Sequence, residues 1–200
     1  TRGTAELFAE YRRLAREPSP LVVLRRGSVT AALADAATRV TAEFEFPYLA
    51  HAPLEPLGAV CQLGPDRCEL WSGAQLQAAD VAVAAAVAGL RPDQVILHTL
   101  PAGGSFGRRA NPVADFTGEV VSIARAIGGR YPVKLTWTRE DDLTGGMYRP
   151  MNLHAIEAGL DAAGRPVALR QRIVGQSITI GTAFAPLTVQ NGVDIVATSG

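Results

Sequence analysis

The sequence predicts an α+β fold, a two-layer sandwich in which a mixed β-sheet carries helices packed on one face. Three observations support it. Apolar residues recur at helical spacing in separate stretches, alternating segments lie between them, and two pairs of strand-like segments are joined by turn sequences. The resulting order is helix, strand, hairpin, helix, strand, helix, strand, hairpin. Such mixed connections fit an α+β sandwich better than a doubly wound parallel sheet.

The first helix is predicted over Ala5 to Glu17, where Leu7, Phe8, Tyr11, Leu14 and Ala15 share a face, and Pro18-Ser19-Pro20 stops it. Arg39 to Phe46 (RVTAEFEF) alternates strictly. It reads as a half-buried strand with Val40, Ala42, Phe44 and Phe46 on the apolar side and Thr41, Glu43 and Glu45 on the other. Ala59 to Leu63 and Cys68 to Ser72 form a hairpin around Gly64-Pro65-Asp66. Ala78 to Ala88 has helical composition and Gly89 stands where a C-terminal cap belongs. Val95 to Thr99 is a short strand. Asn111-Pro112 then supplies an N-cap residue and a first-turn proline for a helix carrying Val113, Phe116, Val120, Ala124 and Ile127 on one face until Gly128-Gly129. Val133 to Trp137 is another strand, and Met151 to Leu160 with Val167 to Val174 makes the second hairpin. Residues 1–38 are expected to form an N-terminal helix and lead-in, and 39–200 the first portion of a domain cut from a longer chain that neither starts with Met nor ends naturally at Gly200.

Nineteen basic residues balance nineteen acidic ones. That balance removes any general electrostatic case for nucleic acid or an anionic membrane, so an anion site must be local. The longest Ala/Val run, Val81 to Leu90, is far shorter than the ~20 apolar residues of a transmembrane helix. Two cysteines, Cys61 and Cys68, provide neither a disulfide framework nor a four-thiolate metal site, and read as half-buried strand residues.

Gly103 to Arg109 (GGSFGRR) lies between a predicted strand and a predicted helix. A glycine-rich turn there exposes backbone N–H groups near the positive end of a helix, and Arg108 and Arg109 add two charged forks. The string matches neither G-x-x-x-x-G-K-[ST] nor G-x-G-x-x-G. Phe106 is the residue that a plain tight turn explains poorly. His51 to Pro56 (HAPLEP) is a stiff, extended segment holding a base and an acid; His51, His98 and His154 lack zinc-site spacing. Gln75, in Trp71 to Gln75 (WSGAQ), sits at a strand-to-helix corner. Trp137 to Asp142 and Met147 to Pro150 form a charged connection that reads as an ion-paired loop, or with Arg149 as an anion ligand.

Taken in order, HAPLEP, WSGAQ, GGSFGRR, Trp137 to Asp141 (WTRED) and Tyr148 to Pro150 (YRP) resemble the molybdenum-cofactor-binding large subunit of the xanthine dehydrogenase/aldehyde oxidase family, over roughly residues 40 to 175. The arginine pair resembles the branch typified by the beta subunit of isoquinoline 1-oxidoreductase. The resemblance implies a molybdenum-cofactor-binding α+β domain and a hydroxylase that oxidises N-heteroaromatic compounds or aldehydes by Mo–OH attack and hydride transfer to Mo=S. It implies molybdopterin, in the cytosine dinucleotide form, as cofactor. It further implies the remainder of the large subunit and a small iron–sulfur subunit as partners, with a cytochrome c as a candidate electron acceptor. Gln75 matches the glutamine whose amide meets an oxo ligand of molybdenum. Gly103, Gly104, Phe106 and Gly107 match the loop passing beside metal and pterin, and Arg108 and Arg109 stand where that loop would meet phosphate. Gln77 departs from a proline frequent in the family. The family's general-base glutamate is expected beyond Gly200, so the isolated segment is expected to be apo and inactive. Members occur in the cytoplasm and as exported complexes, which leaves the compartment open.

Two other readings make distinct expectations. An unrelated anion- or nucleotide-binding enzyme would use GGSFGRR for phosphate and bind ATP or a dinucleotide without any molybdenum cofactor. A non-catalytic interaction domain would bury Phe106 in the core and point both arginines into solvent.

Overall fold

The structure is a computed structural model of the chain and describes residues 2–18 and 21–198. In chain order its elements are α1 (Thr4–Arg16), α2 (Val29–Asp35), β1 (Thr38–Phe46), β2 (Gly58–Leu63), β3 (Cys68–Ser72), α3 (Gln77–Ala88), β4 (Val95–Thr99), α4 (Asp115–Ala126), β5 (Val133–Thr136), α5 (Arg139–Thr144), β6 (Asn152–Leu160) and β7 (Pro166–Gly175). Four short pieces follow: α6 (Ala185–Thr188), β8 (Val189–Gln190), β9 (Val193–Asp194) and α7 (Ile195–Thr198). The chain divides into two compact units, one from Thr1–Leu49 with Arg149–Gly200 and one from Ala50–Tyr148. The expected boundary after residue 38 falls inside the first of these. No helix among the described residues is long and apolar enough to cross a membrane.

The Ala50–Tyr148 unit has a mixed four-stranded sheet in the order β4-β3-β2-β5. β2 and β3 form the expected hairpin, with Val60 opposite Trp71, closed by Gly64 N–H donating to the Arg67 carbonyl at 2.7 Å. β3 and β4 run parallel, so α3 is the crossover between them. Strand alternation turns Ala59 and Cys61 of β2, and Cys68 and Leu70 of β3, onto the face that packs with Ala84 and Ala85 of α3 and Phe116, Val120, Val121 and Ala124 of α4. The alanines let the helices approach closely. A methyl group at Gly118 would lie 3.2 Å from Val83 Cγ1. Across that contact the buried Thr117 hydroxyl donates to Asp80 Oδ1 at 2.6 Å. Gly89 caps α3 in the left-handed conformation, as expected.

Three expectations need correction here. Cys61 and Cys68 are fully buried, not half-buried, with Sγ atoms 3.7 Å apart, because both fall on the helix-covered side of the sheet. α4 begins at Asp115 behind Ala114, not at Pro112 behind Asn111. Asn111 Oδ1 instead accepts from Val113 N–H at 3.0 Å, so the asparagine builds a turn ahead of the helix. The charged connection after β5 contains α5, whose start is fixed by reciprocal bonds between Thr138 and Asp141.

The other unit has an antiparallel sheet in the order β1-β6-β7. Phe8 and Tyr11 of α1 pack with Met151, Leu153 and Val174. α2, too short to show a period in the sequence, has Ser28 as its cap and buries Leu33 near Gly159. Leu153 and Gly159 lie on the same side of β6, so both helices cover one face. On β1 that face carries the glutamates: Arg12 of α1 pairs with Glu43 at 2.8 Å and with Glu45. The row expected to be buried, with Val40, Phe44 and Phe46, lies on the opposite face and is exposed. Alternation identifies an apolar row, but α1 brings Arg12 to the strand's polar row and spends its own aromatics on β6 and β7. Each unit is thus a sheet with helices on one side. The predicted stop at Pro18-Ser19-Pro20 falls in part on residues 19 and 20, outside the described residues.

Candidate functional site

The loop after β4 is held from beneath by HAPLEP. Gly103 N–H donates to Glu55 Oε2 at 2.7 Å while Glu55 N–H donates to the Gly103 carbonyl at 3.0 Å. A Cβ at Gly103 would stand 2.5 Å from Glu55 Cβ, so this approach demands glycine. Gly104, Phe106 and Gly107 all have positive φ, at 98°, 54° and 93°. For Phe106 that conformation costs roughly 1–2 kcal/mol, so surrounding bonds must enforce it. Arg108 N–H to the Ser105 carbonyl and Ala110 N–H to the Gly107 carbonyl, each 3.0 Å, do so. The phenyl ring ends up 78% exposed.

Both arginines turn inward. The Arg109 side chain is 1% exposed; its Nη2 donates to Glu55 Oε2 at 3.0 Å and to the Glu55 carbonyl at 3.2 Å, and its Nε donates to the Gly104 carbonyl at 3.0 Å. Arg108, 2% exposed, forms a two-pronged pair with Asp115 at 2.6 and 3.3 Å, and its guanidinium lies 5.4 Å from the centre of the Trp137 ring. The charges expected to await phosphate are therefore engaged by carboxylates of the protein. The interaction-domain reading, which required a buried Phe106 and solvent-facing arginines, is reversed on both counts.

Gln75, at the end of the β3 extension, meets the same loop. Ser105 Oγ donates to Gln75 Oε1 at 2.5 Å and accepts from Arg109 N–H at 3.0 Å. Arg139 of WTRED closes the assembly: it donates to the carbonyls of Pro53 and Leu54 at 2.7 and 2.9 Å and pairs with Asp142 at 2.7 Å. Four of the five sequence motifs thus form one hydrogen-bonded construction. Arg149 of the fifth belongs to the other unit, where it donates to the Pro47 carbonyl at 2.7 Å and lies 5.7 Å from the centre of the Phe46 ring. His98 stacks on Trp71 and bonds Glu69 at 3.2 Å, whereas His154 of the other unit packs edge-on to Phe46. Among the described residues no group of three or more His, Cys, Asp or Glu could hold a metal ion. Sequence reasoning missed Glu55, Ser105, Asp115 and Arg139 as site builders. Glu55, Ser105 and Arg139 lay inside quoted motifs, and Asp115 answers the general need of a buried guanidinium for a carboxylate.

The molybdopterin cofactor-binding domain family matches residues 15–196. The chain belongs to this family. It is 36% identical over 137 residues to the beta subunit of isoquinoline 1-oxidoreductase from Brevundimonas diminuta, covering 68% of this chain and 17% of that protein. It is 30% identical over 149 residues to a subunit of nicotinate dehydrogenase from Pseudomonas putida, covering 73% and 12%. It is also 30% identical over 141 residues to the membrane-bound, pyrroloquinoline-quinone aldehyde dehydrogenase of Gluconacetobacter polyoxogenes, covering 70% and 18%. The chain therefore spans less than a fifth of the length of these relatives. Among solved structures its fold resembles quinoline 2-oxidoreductase from Pseudomonas putida 86, with TM-score 0.59 and 23% identity over 74% of this chain and 19% of that one. It likewise resembles aldehyde oxidoreductase from Desulfovibrio gigas, with TM-score 0.60 and 23% identity over 82% and 18%. The molybdopterin cofactor-binding domain thus has the α+β architecture expected from the sequence.

Proposed function

We propose that this chain is part of the large subunit of a molybdenum hydroxylase, and that Gln75 with Gly103, Gly104, Phe106 and Gly107 forms one side of its cofactor site. The observation that carries this reading is the single network that ties the exposed Gln75 to the loop carrying the exposed Phe106 ring. The residues fit a bulky planar cofactor. A Cβ at Gly107 would meet nothing within 4 Å, so that side of the loop is open to approach. When bound, molybdopterin supplies the metal and its two-electron redox chemistry. Gln75 would bind the metal's ligand sphere, Gly107 would admit the pterin edge and Phe106 would exclude water beside it, while Gly103 and Gly104 let the loop seat against Pro53, Leu54 and Glu55. Arg108 and Arg109 act from beneath, by holding the loop that makes these contacts.

The same reading extends to the whole protein. Its substrates are N-heteroaromatic compounds or aldehydes, in keeping with the isoquinoline, nicotinate and aldehyde named for the relatives. Its cofactor is the cytosine dinucleotide form, and its partners are the rest of the large subunit and a small iron–sulfur subunit, with a cytochrome c as acceptor. The isolated segment is apo and inactive, since the base and the opposite wall of the site come from elsewhere in the polypeptide. A nucleotide-binding enzyme is disfavoured because neither arginine is free to take phosphate.

Metal and pterin analysis of the purified full-length complex tests this. One molybdenum and one pterin per large subunit are expected. An active complex that contains pyrroloquinoline quinone and no molybdenum would overturn it.

A further inference from the structure

We propose that Ser105 is a positioning residue that fixes which end of the Gln75 amide faces the cofactor. The inference rests on the reading of Gln75 given above. A serine hydroxyl has one hydrogen and two lone pairs. One lone pair is taken by the backbone N–H of Arg109 at 3.0 Å, a donor whose direction the loop dictates. The hydroxyl lies 2.5 Å from the end of the Gln75 side chain. That separation belongs to O–H···O geometry and is shorter than the usual N–H···O range of roughly 2.7–3.2 Å. The amide oxygen is therefore the atom facing Ser105, and Ser105 is its donor. With the amide reversed, the hydroxyl would accept from two N–H groups and its own hydrogen would lose its partner.

Fixing the oxygen fixes the nitrogen. Gln75 Nε2 must project away from Ser105, so the side chain turns its two N–H donors to the free side. The group recognised there is a hydrogen-bond acceptor such as an oxo or carboxylate oxygen. The orientation is built in before any ligand arrives, which is the arrangement that makes a polar contact effective in a closed site. It is also relayed. The Arg109 backbone N–H is held in place because the buried guanidinium of the same residue is tied to Glu55 and to the Gly104 carbonyl. The chain of control runs Glu55, Arg109, Ser105, Gln75. The loop's last arginine thus governs the glutamine without touching the ligand.

The test uses the full-length protein with its partner subunits as wild type, Ser105→Ala, Ser105→Thr and Gln75→Glu. A neutron or sub-ångström crystal structure of each, with or without metal, distinguishes the amide oxygen from the nitrogen and so reads the orientation. One Gln75 rotamer with its end against residue 105 is expected in wild type and in the threonine variant, and a displaced or doubled side chain in the alanine variant. In metal-loaded protein the Mo(V) electron paramagnetic resonance spectrum should shift in Ser105→Ala and return in Ser105→Thr. Turnover should fall about 10- to 100-fold in Ser105→Ala, as for other outer partners of metal sites. Gln75→Glu keeps an acceptor for Ser105 and loses the projecting donor, so it should keep the loop and lose turnover. An unchanged Gln75 rotamer in Ser105→Ala, or a threonine variant as impaired as the alanine one, would overturn the proposal. Absence of molybdenum from wild type would instead overturn the functional reading, and the crystallographic comparison would still decide the role of Ser105.

Discussion

Glu55 Oε2 accepts from both Arg109 Nη2 at 3.0 Å and Gly103 N–H at 2.7 Å, so one carboxylate oxygen fastens the first and last residues of the GGSFGRR loop. The two ends of this pair differ in exposure. Arg109 is almost wholly buried, whereas more than half of the Glu55 side chain is in solvent. Removing the buried member takes the donor from the Gly104 and Glu55 carbonyls, while the exposed Glu55 carboxylate keeps Gly103 N–H and solvent. Arg109→Ala is expected to lower stability by about 2–4 kcal/mol, about 1–2 for each carbonyl left unpaired. Arg109→Lys should recover only part of this, because an ammonium cannot reproduce the fork. Glu55→Gln keeps acceptors for both donors and should cost about 1–2 kcal/mol. Urea unfolding of the four proteins checks the order.

Gly103→Ala is a separate probe of the same junction. Its Cβ would collide with Glu55 Cβ, whereas at Gly107 a Cβ is unobstructed and only the positive φ resists it. Gly107→Ala should cost about 1–2 kcal/mol, and Gly103→Ala clearly more. Cofactor content of the full-length variants should fall in the same order, read as molybdenum per polypeptide.

Asp80 gives a pH dependence. Burial raises its carboxyl above the ordinary value, opposed by the Thr117 hydrogen bond and reinforced by the charge of Asp115. The native state therefore holds this proton more tightly than the unfolded chain does. Its favourable contribution is complete below the unfolded value of about 3.9 and is lost as pH rises through the raised native value. Asp80→Asn preserves an acceptor for Thr117 and removes the buried charge. It should raise the thermal unfolding midpoint at neutral pH, with the gain vanishing toward acid pH. A variant that is less stable than wild type at neutral pH would contradict this.

Phe44 and Phe116 separate sequence expectation from structure. Both occupy apolar positions in periodic patterns, yet Phe116 is fully buried and Phe44 is 48% exposed. Phe116→Ala should cost about 3–5 kcal/mol. Phe44→Ser should change stability by no more than about 0.5 kcal/mol. Denaturant midpoints of the two variants of this chain decide the matter.

The contrast shows what was legible. Residues with local signatures, such as Gly89 as a helix cap and Gly64-Pro65-Asp66 as a hairpin turn, are found where the sequence puts them. Pairings between distant segments were not readable. Nothing in RVTAEFEF says that Arg12 will come to its glutamates, and nothing in GGSFGRR says that Asp115 and Glu55 will take its arginines. The candidate loop was visible as a string of unusual residues in a specific order. Its inward-turned charges and outward-turned ring depend on distant partners: Glu55 lies 48 residues from Gly103, Arg139 lies 86 from Pro53, and Trp137 follows the end of β5. Short elements such as α2 and α5 carry too few residues to show a period, although Ser28 and Thr138 mark their starts.

The most direct measurement is a crystal structure of the full-length complex carrying its cofactor. The expected result places Gln75 Nε2 within hydrogen-bonding distance of a ligand of molybdenum, with Phe106 and the 103–107 backbone against the pterin and both arginines still paired to Glu55 and Asp115. A cofactor bound elsewhere, with Gln75 and Phe106 facing only solvent, would contradict the account.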